Sequence, residues 1–156
     1  YNNKKINKSY KIVKNIDTSC VLFETKKILK FNFYDEDFFF FWQDIDLVKR
    51  INDSNFNMVV NKNSPATHFM SGSSETSLYI NFLRERGYKY GEFIFDYKYN
   101  NLRFLKISRQ LFQSVYRTCI YTLFFDKKKI LRNLGYFNGI LSFLLFYLNR
   151  KIKFYF

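Results

Sequence analysis

Aromatic rings and lysines are interleaved along almost the whole chain, and this constrains the fold more than any motif does. Rings favour burial or stacking, while ammonium groups stay in water. A folded state must therefore separate the two within a few residues of each other. The chain carries 21 Phe, 13 Tyr and one Trp among 156 residues. It also carries 26 Lys+Arg against 13 Asp+Glu, a net charge of +13. A hydrophobic fraction of 47% is enough to build a core, and places the chain outside the disordered class. This length suits one domain with an extension.

Two pressures shape the composition. Phe, Tyr, Lys, Asn and Ile, which are abundant, have AT-rich codons. Ala, Pro, Gly and Arg have GC-rich codons, and the chain has a single Ala (Ala66) and a single Pro (Pro65). This points to an AT-rich genome, such as a mitochondrial or plastid one. AT bias alone raises Lys and Asn without functional reason, but the excess of cations over acids also fits a polyanionic partner, nucleic acid or an anionic membrane. The charge is segregated. Residues 1–30 hold eight Lys against Asp17 and Glu24, a balance of +6. Residues 31–61 hold Asp35, Glu36, Asp37, Asp44, Asp46 and Asp53 against Lys49 and Arg50, a balance of −4. The remainder is basic again. Such alternation suggests one face for a polyanion and another for a protein.

Several chemistries lack their parts. Cys20 and Cys119 are isolated, and His68 is the sole histidine, so zinc sites and histidine-based triads are not indicated. The adjacent acids Asp35, Glu36 and Asp37 suit a solvated helix start better than catalysis. Gly135-Tyr-Phe-Asn-Gly139 lacks the glycine spacing and Lys-Ser/Thr of a phosphate loop. The expectation is a protein without enzymatic activity, metal, cofactor or small-molecule substrate. The most apolar run, residues 140–148, falls short of the roughly 20 residues a span requires, and Arg132, Arg150, Lys151 and Lys153 flank it. This argues against membrane contact. The chain begins at Tyr1 rather than Met, as removal of a targeting segment would leave it.

The pattern of residues predicts an α+β fold: two small α/β units, a helix-strand-helix-hairpin unit and then a β-rich unit, behind an N-terminal extension. The expected bounds are 1–43 for the basic and acidic extension, 44–110 for the first unit and 111–156 for the second. Short strands are expected at 10–13 and 20–23, and a helix at 38–51 capped by Asp35 or Asp37. A strand at 58–60 and a loop from Asn61 to Ser74 follow. The next helix is capped by Ser74 or Thr76 and ends at Gly87. A hairpin is then expected, with strands 92–99 and 102–107 around Asn100-Asn101. Residues 115–125 read as another β-rich run. Asp126 caps a helix over 127–134 that Gly135 stops, and 140–156 read as two strands around Asn149-Arg150.

Three segments carry a resemblance. They are Leu47-Val-Lys-Arg-Ile-Asn52, Phe82-Leu-Arg-Glu-Arg-Gly-Tyr88, and Cys119-Ile-Tyr121 followed by Lys129 to Gly135. They resemble the first helix, the second-helix ending and the Arg-Ile-Tyr strand of the small ribosomal subunit protein eight family. The likeness spans roughly residues 44–156. It implies binding of ribosomal RNA, with Ser142 at the family's RNA-contacting Ser-Thr-Ser-Lys-Gly stretch. Only that one serine of the stretch is present, and the Ser-Lys-Pro-Gly turn is missing. RNA contacts are then expected from Lys49, Arg50, Lys127, Lys128, Lys129, Arg132 and Arg150. Lys127 to Lys129 is the densest basic run, and it opposes the positive end of a helix dipole unless an anion is near.

The resulting expectation is a structural protein of a mitochondrial small ribosomal subunit, located in the matrix. It would touch neighbouring ribosomal proteins through its extension and the acidic window 35–46. The alternatives are a membrane-surface accessory subunit of a respiratory complex and a ribosomal protein of another family.

Overall fold

The computed structural model describes residues 9–16, 18–39, 41–67 and 77–153. They are mostly helical, with one two-stranded sheet among them. The expected α+β fold with its β-rich second unit is therefore corrected to a mainly α-helical one. The chain forms two compact units. One comprises Tyr1–Asp35 with Gln43–Gly72, and the other Glu36–Trp42 with Ser73–Phe156.

In the first unit, β1 (Tyr10–Val13) pairs antiparallel with β2 (Met58–Asn61), in the register Tyr10↔Asn61 to Val13↔Met58. Both strands match the sequence expectation, whereas 20–23 is irregular. The short helix α1 (Thr25–Ile28) runs into a 3₁₀ turn, Leu29–Phe31. Helix α2 is Gln43–Asn52, so Asp35 and Asp37 do not cap it. It buries Leu47, Val48 and Ile51 on one face, against Ile28 and Met58. Its charges suit the dipole, with Asp44 and Asp46 in the first turn and Lys49 and Arg50 in the last. The Asp46 side chain is fully buried and paired with Arg50 at 2.7 Å. Arg50 also donates to the carbonyls of Phe31 and Phe33, beside two left-handed residues, Asn32 and Phe33.

In the second unit, α3 (Leu78–Lys98), α4 (Phe104–Leu123) and α5 (Lys127–Lys153) follow one another with short turns. The Ser77 hydroxyl caps α3, accepting from the amide of Ile80 at 3.1 Å; the expected caps Ser74 and Thr76 lie outside the described residues. Asp126 caps α5, as the sequence indicates, accepting from the amide of Lys129 at 3.1 Å. The contacts run in one direction along α3 and α5: Gly135 meets Phe82 and Glu85, Gly139 meets Arg86 and Lys89, and Phe143 stacks on Phe93 at 5.4 Å. Tyr147 follows on Tyr97 at 5.5 Å. Helices α3 and α5 are thus parallel, and α4 returns antiparallel between them in sequence. The core consists of Phe38, Phe93, Ile94, Ile107, Ile140 and Phe143.

Among the described residues, the strands expected after residue 90 fall largely in helices, and so does the expected turn at Asn149-Arg150; residues 154–156 of the last expected strand lie outside the described residues. The alternation Phe93, Phe95, Tyr97 suggested a strand because residues two apart lie on opposite sides of a helix, and α3 is covered on two sides. Phe93 faces α5, while Phe95 packs on Trp42 at 5.3 Å. The hydroxyl-rich, β-branched run in α4 settles its side chains within the helix. Ser114, Thr118 and Thr122 donate to the carbonyls of Gln110, Ser114 and Thr118 at 2.8–2.9 Å. The glycines expected to stop helices lie inside them. A Cβ on Gly135 would sit 2.6 Å from the Phe82 carbonyl oxygen, and one on Gly139 closer still to that of Arg86.

A charge network crosses from α3 to α4. Lys106 pairs with Glu92 at 2.7 Å and Asp96 at 2.6 Å, and Lys89 pairs with Glu92 at 2.6 Å. Burial pushes the Glu92 carboxyl up, but hydrogen bonds from Lys106 and Lys89 outweigh it and hold the group below its ordinary 4.5. Burial likewise pushes Lys106 down, and bonds to Asp96 and Glu92 carry it above 10.5.

Two outcomes follow for stability. Alanine ordinarily gains about 1 kcal/mol over glycine inside a helix, but here overpacking costs about 1–3 kcal/mol. Gly139→Ala should therefore lower stability in urea titration, and a stabilised variant would refute the close approach. Lys106→Met takes the cation from Asp96 and leaves Glu92 with Lys89 alone, and should cost roughly 2–3 kcal/mol near neutral pH. The Glu92 contribution is present above pH 4.5 and fades as pH falls through the depressed value. The Lys106 contribution is present below pH 10.5 and fades as pH rises through the raised one. The gap between wild type and variant should therefore shrink at both extremes in pH-dependent unfolding.

Candidate polyanion-binding surface

Most of the cations proposed from sequence are engaged within the chain. Lys49 pairs with Asp53 at 3.0 Å and Arg50 with buried Asp46. Lys129 pairs with Asp126 at 3.0 Å and stands over the Tyr121 ring. Arg132 pairs with Glu85 at 2.9 Å, and Arg150 grips both oxygens of Asp37 at 2.7–2.8 Å. Ser142 accepts from Arg86 at 3.4 Å. Lys127 and Lys128 are exposed and carry no ion pair among the described residues. Lys49 and Arg50 belong to the first unit and the other six positions to the second.

The same pairings draw on the acidic window. Asp46 is consumed by Arg50, Asp37 by Arg150, and Asp44 receives its neighbour's amide (Ile45) at 2.9 Å. The hydrogen bond with Tyr136 and the charge of Glu85 hold the Arg132 guanidinium even more firmly protonated. Burial, with Glu85 beside it, raises the Tyr136 phenol. The amide and side chain of Lys129 lower the Asp126 carboxyl.

Helix α4 presents what the sequence reading missed. It contains no acid in its 20 residues. Lys106 turns inward to the charge network, but Arg109 and Arg117, with Arg103 just before the helix, are exposed. None of these three arginines carries an ion pair among the described residues. Phe112 and Tyr116 are exposed at 75% and 57%. They lie three and seven residues after Arg109, on its face of the helix. The signal was legible, because no acid occurs between Asp96 and Asp126. The strand reading of 102–107 and 115–125 hid it, since with 108–114 left unassigned no helix placed Arg109 on one face with Phe112 and Tyr116.

An open, mainly apolar groove of about 150 Å³ lies between α4 and α5, lined by Ser114, Val115, Thr118, Cys119, Leu134 and Phe137. Among the described residues there is no group of three or more metal-ligating side chains. No helix of the described residues is long and apolar enough to cross a membrane.

No family model, no curated protein and no solved structure matches this chain. Of the segments that carried the ribosomal resemblance, Leu47 to Asn52 and Lys129 to Gly135 lie in helices, as the resemblance implies, and two others do not match it. Phe82 to Tyr88 lies inside α3 rather than ahead of a hairpin, and Cys119 to Tyr121 lies in α4 rather than in a strand.

The cations should separate by role in RNA-binding titrations at several salt concentrations. Arg109→Gln with Arg117→Gln should weaken binding and reduce the salt slope by about one per lost phosphate contact. Lys127→Gln with Lys128→Gln should act likewise. Lys129→Gln and Arg132→Gln should leave the slope nearly unchanged, because their charges are already compensated. Equal slopes for all variants would dismiss α4 as the contact surface.

Proposed function

We propose that this chain is a structural, RNA-binding protein of an organellar ribosome, acting in the mitochondrial matrix without catalysis of its own. The observation that carries the reading is α4, an acid-free helix that exposes Arg109 and Arg117 beside Phe112 and Tyr116, with Arg103 just before it, on a protein of net charge +13. Guanidinium groups serve phosphates, and exposed rings stack on unpaired bases. Placement in the small subunit rests on the resemblance alone. The first unit exposes Leu22, Leu29 and Val59 at 99%, 64% and 50%. These suit a contact with neighbouring ribosomal proteins better than one with RNA.

Sedimentation of a detergent-treated organelle lysate in moderate salt tests the reading. The protein should travel with small-subunit ribosomal particles and leave them after ribonuclease digestion. Co-migration with a respiratory complex, insensitive to ribonuclease, would sink it.

A further inference from the structure

The turn between α4 and α5 exposes three consecutive apolar side chains. Leu123, Phe124 and Phe125 are exposed at 77%, 77% and 86%. The turn itself is firmly built. The amide of Phe125 donates to Thr122 at 3.1 Å and that of Asp126 to Tyr121 at 3.0 Å. Phe125 adopts a left-handed conformation, φ 53°, at the position where glycine usually ends a helix. A bulky aromatic residue in that conformation is strained, and this ring is almost wholly exposed. The strain therefore gains nothing from packing inside the chain, the pattern of a functional position.

Lys127 and Lys128 follow directly, exposed and without an ion pair among the described residues. Asp126, the one nearby acid, is occupied by the amide of Lys129 and by its ammonium. The tip is thus apolar and its shoulder cationic. We propose that this tip is a membrane anchor: Leu123, Phe124 and Phe125 enter the interface of an anionic bilayer, and Lys127 and Lys128 meet its lipid phosphates. Rings and leucine settle at the boundary between headgroups and acyl chains, while lysines reach back to the headgroups. No spanning segment is needed, so the short apolar run that argued against membrane contact does not bear on this mode. A second copy of the chain is disfavoured by like charge. Leu123 offers no ring to stack on a base, which favours lipid over RNA at this tip. The proposal shares Lys127 and Lys128 with the ribosomal reading, but its apolar tip is separate from the α4 arginines on which that reading rests.

Flotation of the full chain with vesicles tests it. Vesicles of equal parts phosphatidylcholine and phosphatidylglycerol should carry the protein, and phosphatidylcholine alone should carry much less. Phe124→Ser with Phe125→Gly should reduce binding about tenfold or more, given the apolar area removed. Lys127→Gln and Lys128→Gln should each reduce it roughly fivefold. Phe125→Gly alone relieves the left-handed strain, so its thermal midpoint should rise by roughly 2–4 °C while binding falls. That combination separates a lost anchor from a lost fold. The proposal is overturned by equal binding to neutral vesicles, or by unchanged flotation of the Phe124 and Phe125 variants. It is also overturned if those variants lose RNA binding and keep vesicle binding, because the rings would then be stacking on bases.

Discussion

The second unit depends on one close approach, that of α5 to α3 at Gly135 and Gly139. Each glycine sets the backbone of α5 against a carbonyl of α3, at Phe82 and at Arg86. A side chain at either place would occupy the space the partner backbone holds. The approach fixes a common register along the two helices. Phe93 then meets Phe143, and Tyr97 meets Tyr147. Large rings fill the part of the interface where the helices carry no glycine, and small residues the part where they touch. A third glycine, Gly91, does the same on another side of α3, receiving the Phe41 carbonyl and the Trp42 ring.

Parallel helices cannot follow one another directly, so the chain must return, and α4 is the return. It contributes Ile107 to the core and Lys106 to the charge network. Burying Lys106, Glu92 and Asp96 together costs desolvation that their mutual contacts offset. With only one face so engaged, the outer side of α4 keeps its arginines, Phe112, Tyr116 and the Leu123–Phe125 tip in solvent. The surfaces proposed here for RNA and for lipid are thus what remains once α3 and α5 have made the core.

Parts of this were legible beforehand. The strands at 10–13 and 58–60, the Asp126 cap, a break at Asn100-Asn101 (between helices and not strands) and Val48 and Ile51 on the buried face of α2 all follow from local chemistry. They rest on β-branched runs, a short carboxylate before a helix, and three-and-four spacing. The rest was misread for a common reason. Where most positions are aromatic or aliphatic, both the strand period and the helix period find matches. The candidate site suffered in the same way. Lys127 and Lys128 were found because they are adjacent in sequence. Arg109 and Arg117 were missed because only a helix brings Arg109 beside Phe112 and Tyr116. Arg50, Arg132 and Arg150 were proposed for RNA, yet their carboxylate partners at Asp46, Glu85 and Asp37 take up their charge.

The sequence by itself determined the net charge, its segregation, the lack of paired metal ligands and the start of the last helix. These properties need no partner residue, or only one a few positions away. The tertiary structure decided whether each glycine ends a helix or lets another helix in, and which cations are free for a polyanion. Both depend on what lies opposite. For Gly135 that is a carbonyl more than 50 residues earlier in the chain, and for Arg150 a carboxylate 113 residues earlier. The aromatic rings and lysines interleaved in the sequence are separated in the same way. In α3, rings two residues apart reach different neighbours, Phe93 the ring of Phe143 and Phe95 that of Trp42.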